Sequence, residues 1–85
     1  MIDRVAVRYK DTVYVGNDKE RHSDVYDRLY DILKDIGQSI DMCFCTDGFV
    51  TDTGEFLDRS SAADHAFECG QIESNKAELY SEDLW

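Results

Sequence analysis

The chain has 85 residues, 42% of them hydrophobic, with five Tyr, four Phe and one Trp; it is long enough for one small domain and too apolar to read as disordered. Nineteen acids stand against nine bases, for a formal net charge of −10. That balance makes the chain a poor candidate for holding a phosphate backbone, which needs clustered Lys and Arg, and it favours basic partners, nucleic-acid-binding proteins among them.

Taken in order, Arg4 to Tyr9 alternates and places Val5, Val7 and Tyr9 on one face of a strand. Lys10-Asp11 breaks the run, and Thr12 to Val15 alternates again before Gly16. This spacing predicts a hairpin, although Lys-Asp is a weaker turn pair than Asn-Gly. A charged loop, Asn17 to Arg21, follows. Ser23 is the predicted N-cap of a helix over Asp24 to Ile36. Val25, Leu29, Ile32, Leu33 and Ile36 form its core stripe, Tyr26 and Tyr30 widen one flank, and Gly37 is the predicted stop.

The opposite face of that helix is acidic. At about 100° per residue, Asp24, Asp27, Asp31 and Asp35 fall in a narrow arc, a ridge roughly 16 Å long. Arg28 and Lys34 lie beside it. Such a face serves as a solvated surface or as a ridge that engages a basic groove on a partner.

Ile40, Met42 and Phe44 alternate with Asp41, Cys43 and Cys45, the pattern of a strand, and Asp47-Gly48 reads as a turn. Phe49-Val50-Thr51 and Glu55-Phe56-Leu57 flank Asp52-Thr53-Gly54, which predicts a second hairpin. Asp58 or Ser60 caps a short helix to Cys69, with Gly70 as its stop. Ala62, Ala63, Ala66, Phe67 and Cys69 cover its packed side, and Asp64 and Glu68 face outward. The tail, residues 77–85, ends on Leu84-Trp85 and is expected to dock on the body, on a second copy or on a partner. The expected fold is α+β: a small antiparallel sheet packed against one long amphipathic helix and one short helix, all in a single domain.

Cys43, Cys45, His65 and Cys69 are a candidate tetrahedral zinc set, with small buried residues as the competing reading. A Cys–His nucleophile pair can be drawn from the same residues. His22 and Arg59 stand at the two helix entries and are candidates for a small anion or nucleotide pocket; capping and a local ion pair, with Asp24 and Asp58, compete with it. Nothing here has the pattern of a Gly-rich phosphate loop, a zinc-protease helix or a nucleophile elbow. Three cysteines cannot all pair within one chain, no run approaches the roughly 20 apolar residues of a membrane span, and no secretory leader is read; the expected compartment is the cytoplasm, with reduced thiols.

Gly48-Phe49-Val50-Thr51, Gly54, Phe56, Asp58-Arg59, the helix through Ala66 and Gly70-Gln71 resemble a recurrent family of small bacteriophage and prophage proteins. The closing Leu79-x-Ser81-Glu82-Asp83-Leu84-Trp85 resembles that family's end, and Arg21-His22-x-Asp24-Val25 its helix entry. The likeness is spread over about half the chain, and Cys43 and Cys45 stand outside it. It implies a phage accessory protein, a class mostly without assigned activity, whose small acidic members often antagonise host enzymes or defence complexes, as anti-CRISPR inhibitors do. The first expectation is a binding protein with no catalysis. The expected partner is a basic host protein or ribonucleoprotein complex, met by Asp24, Asp27, Asp31, Asp35, Glu82 and Asp83. A small-ligand binder using His22 and Arg59 and a zinc-stabilised interaction module are the alternatives, and a homodimer is a further expectation.

Overall fold

The computed structural model describes residues 1–85. Strands β1 (Ile2–Tyr9), β2 (Thr12–Val15), β3 (Cys45–Thr51) and β4 (Phe56–Asp58) form one antiparallel sheet in the order β2-β1-β3-β4. Val5, Val7, Tyr9 and Phe49 share one face of it by register. They pack in one buried cluster with Val25, Leu29 and Leu33 of helix α1 (His22–Asp35) and Ala62, Ala63 and Ala66 of helix α2 (Arg59–Glu68). Both helices therefore cover the same face, and the fold is the expected α+β arrangement.

The first hairpin forms in the predicted place. Tyr9 pairs with Thr12, which leaves Lys10-Asp11 as a two-residue loop with Lys10 at φ 54°. A lysine in that region is strained, and long-range contacts hold it. Its N–H donates to the Phe44 carbonyl at 3.1 Å, and its ammonium lies 5.5 and 5.6 Å from the Tyr9 and Phe44 ring centroids.

Helix α1 begins at His22, earlier than predicted. Arg21 occupies the cap, and its backbone N–H donates to the Asp24 carboxylate at 2.9 Å; Ser23 thus lies inside the first turn. The far end matches expectation. Gly37 has φ 73°, its N–H donates to Lys34, and the Gln38 N–H reaches back to the Leu33 carbonyl at 2.8 Å. This paired closure satisfies carbonyls that the last turn leaves free. The core stripe is narrower than predicted: Val25, Leu29 and Leu33 are buried, but Ile32 is 47% and Ile36 62% exposed. Ile32 is rotated about 60° from the centre of the stripe, and Ile36 lies past the last helical residue.

The predicted strand through Met42 and Phe44 is instead a 3-10 turn, Met42–Phe44, whose Cys43 N–H donates to the Asp41 carboxylate. Both apolar side chains are exposed. Asp47-Gly48 is not a turn. It lies inside β3, opposite Val7 and Ala6. Gly48 is needed there for close approach: a Cβ would sit 2.2 Å from the Leu57 carbonyl oxygen and 2.6 Å from Phe56 Cζ. The second hairpin closes over Asp52-Thr53-Gly54, with the Thr51 N–H donating to Glu55.

Asp58 caps α2 by accepting the Ser61 N–H at 2.8 Å. Ala62, Ala63 and Ala66 are fully buried, while Phe67 and Cys69 are exposed, so the packed side is an alanine strip only. The Gln71 side-chain amide acts as a strand partner for Ile2, accepting its N–H at 2.8 Å and donating to its carbonyl at 2.9 Å. Leu79 is fully buried, Leu84 and Trp85 pack against the core, and the Trp85 indole N–H donates to the Glu20 carbonyl at 3.2 Å.

Candidate functional site

The amphipathic pattern of α1 leaves its acidic side in water. Asp27, Asp31 and Asp35 are exposed, and none takes part in an ion pair. Arg28, the base that would soften the ridge, turns to Glu20 instead and grips it with both terminal nitrogens at 2.9 and 2.7 Å. That pair and the Asn17 N–H hold the Glu20 carboxyl down at about 2. Asp24 is half-buried and engaged at the helix start. The free part of the ridge is therefore Asp27, Asp31 and Asp35.

Glu82 and Asp83 do not extend it as one free patch. Asp83 pairs with Lys76 and accepts the Tyr80 N–H at 2.9 Å, and its pKa is lowered by Lys76 first and that backbone bond second. Glu82 is exposed and lies beside Arg21 and His22, at the beginning of α1.

His22 and Arg59, far apart in sequence, meet. His22 is buried as the first residue of α1, and Arg59 is the first residue of α2. His22 Nε2 is 2.7 Å from the Gly48 carbonyl oxygen, and its ring forms a T-shaped pair with Phe49, centroids 5.1 Å apart. Arg59 donates to the Leu79 carbonyl at 2.8 Å and to Asp47 at 3.2 Å, and lies 3.5 Å from His22 Nδ1. Its guanidinium also covers Tyr80, 4.6 Å from the ring centroid. Asp47 in turn accepts the Tyr26 hydroxyl. Burial first, and that carboxylate second, push the Tyr26 phenol well above its ordinary range. Burial pushes the His22 imidazole down; the Gly48 carbonyl opposes this and the Arg59 charge adds to it.

Two open clefts flank this cluster. One, of about 440 Å³, has Arg59 facing three carboxylates, Asp47, Asp58 and Glu78. The other, of about 500 Å³, is bounded by Arg21, His22, Ser23, Arg59 and Tyr80, with Glu82 as its acid. The predicted pair does line a cleft, but the Arg59 terminal nitrogens are already engaged inside the protein. An anion there competes with Asp47 and the Leu79 carbonyl for them. The cluster works as a clasp between α1, β3, α2 and the tail.

The zinc set is not assembled. Cys43 lies exposed in the 3-10 turn, Cys45 opens β3, and no group of three or more ligating side chains converges. Loss of the predicted strand through Met42 removes the alternation that put Cys43 beside Cys45. His65 Nε2 and Cys69 Sγ do meet at 3.6 Å, one helical turn apart on α2.

Sequence reasoning missed Tyr26, Asp47, Gly48 and Leu79 as parts of this centre. Asp47 and Gly48 carried a turn signal that pointed elsewhere, and Tyr26 read as a flank of the apolar stripe. The family described as phage T4 y16D protein matches over residues 1–85. No curated protein matches the chain, and no solved structure does.

Proposed function

We propose a function on one premise: the chain belongs to the phage T4 y16D protein family, and is a small phage protein. In this reading it acts by binding, setting the free carboxylates of α1 against a basic surface of a host protein. The target class is a defence or nucleic-acid-binding complex, a CRISPR ribonucleoprotein being one such complex, and blockade is steric and electrostatic. The observation that carries the reading is the exposed row Asp27, Asp31 and Asp35, without an ion pair, on a chain of net charge −10. Exposed Tyr30 and Ile32 border the row and add apolar contact.

The test compares tagged wild-type protein with the triple variant Asp27→Lys, Asp31→Lys, Asp35→Lys as bait for host proteins. The wild type is expected to retain a basic partner at about 0.1 M salt and to lose it at about 0.5 M, because screening shortens with ionic strength. The variant is expected to bind that partner at least about tenfold more weakly, through loss of charge complementarity. Equal retention by both proteins, at both salt levels, would defeat the reading. The competing small-ligand reading has His22 and Arg59 at one cleft in its favour. A rise in melting temperature with a nucleotide from a broad panel would favour it instead.

A further inference from the structure

The sheet register sorts side chains between two faces, because directly paired residues of antiparallel strands point the same way. One face lies beneath α1 and α2. The other carries Val13 and Val15 on β2, Arg4 and Arg8 on β1, and Phe56 and Asp58 on β4. Neither helix covers it.

An antiparallel sheet with one face in water presents polar residues on that face. Here Val13 is 38% and Val15 43% exposed. Arg8 lies over the Phe56 ring, 5.3 Å from its centroid, and Phe56 lies over the bare backbone of Gly48. Asp58 is the one carboxylate among the register-paired residues of this face, in a chain with nineteen acids. Two copies of so acidic a protein approach with least repulsion here.

We propose that this face is the interface of a two-fold homodimer, packed sheet on sheet. The face is self-complementary, as an isologous contact requires. With β2 of one copy over β4 of the other, Val13 and Val15 meet the partner's Phe56. Arg8, one strand further in, reaches the partner's Asp58, and symmetry makes each contact twice. Four strands about 4.8 Å apart and about five residues long give a footprint roughly 19 by 17 Å. Closing two such faces covers about 320 Å² on each copy, on the order of 650 Å² in total, the size of a weak contact that forms only at high protein concentration. The dimer leaves the acidic row of α1 on its two outer sides and does not rest on what that row binds.

Sedimentation velocity on the full chain tests this, from about 5 to about 500 μM at about 0.15 M salt. At the upper end the expected mass is twice that of the 9.8 kDa chain. The double variant Val13→Glu, Val15→Glu is expected to weaken association at least about 100-fold, since it buries carboxylates in the contact. Arg8→Glu is expected to give the single-chain mass too, and its exposed side chain keeps the test available if the double variant fails to fold. Asp31→Lys, on the far side of α1, is expected to leave the dimer intact. A single-chain mass for the wild type throughout overturns the proposal. So does a larger species that persists in both sheet variants, or one that only Asp31→Lys abolishes.

Discussion

At the scale of single residues, hydrogen-bond chemistry assigns the state of His22. Arg59 can only donate, so the nitrogen facing it, Nδ1, must accept, and the proton sits on Nε2, aimed at the Gly48 carbonyl. An imidazolium would set an N–H against the guanidinium. Around the ring stand Arg59 from α2 and Asp47 and Phe49 from β3, and burial outweighs the one favourable carboxylate. The folded state therefore lowers the histidine's pKa. As pH falls through about 6.5, the unfolded chain takes up this proton first, so stability is full above that value and declines below it. Glu20, Asp58 and Asp83 carry lowered pKa values as well, and their contributions are lost only in a separate window below about pH 4. Urea unfolding of His22→Gln is expected to lose the stability slope between about pH 5 and 7, with the amide nitrogen still donating to Gly48. An unaltered slope would assign it to another group. His22 and Arg59 were legible in the sequence because they stand at helix entries. Asp47 was not, because its role appears only once β3 passes beneath both helices.

At the scale of elements, local signals and long-range pairing compete, and β3 shows which wins. Asp-Gly is a strong turn pair when judged by its neighbours. Here β1 pairs with Asp47 and Gly48 on one side, and β4 pairs with Gly48 on the other. The glycine supplies room for the Leu57 carbonyl and the Phe56 ring, so its freedom to turn is not the reason for its presence. Gly48→Ala is expected to destabilise the protein by about 1–3 kcal/mol or more, measured by chemical denaturation, as overpacking does. Adding Phe56→Ala is expected to recover only part of this, because the Leu57 oxygen belongs to the backbone and remains. A cost below about 0.5 kcal/mol, the range of an ordinary surface change, would show that the strands part easily there. The end of α1 was readable because a glycine after the last turn has one low-energy use. Its start was not: the cap is a backbone N–H held by Asp24, and Arg21 gives no capping signal of its own.

At the scale of the whole molecule, the tail completes the core. A domain this small buries only about 60–65% of its unfolded surface, and Leu79 adds one of the largest fully buried side chains. Its N–H donates to the Arg59 carbonyl, and its own carbonyl receives the Arg59 side chain, so the segment is fixed at both polar groups. Leu79→Ala is expected to cost about 2–5 kcal/mol in denaturant unfolding, the range for a buried leucine. Leu84→Ala, at a half-buried position, is expected to cost clearly less. Equal losses would mean that the tail packs as a loose apolar strand without a single anchor.

The class of fold, the first hairpin, the second hairpin loop, both helices and the acidic side of α1 could all be read from the order of residues. These follow from periodicity, charge and turn chemistry, which act over a few residues. The folded chain was needed to see that Met42 and Phe44 leave the sheet, that Gly48 lies within a strand and that His22, Asp47 and Arg59 form one clasp. It also decided which acids remain free: Asp24 and Asp83 are drawn into local bonds, whereas Asp27, Asp31 and Asp35 are not. The physical reason is range. A side chain's partners across the sheet and between helices lie tens of residues away, and no local pattern records them.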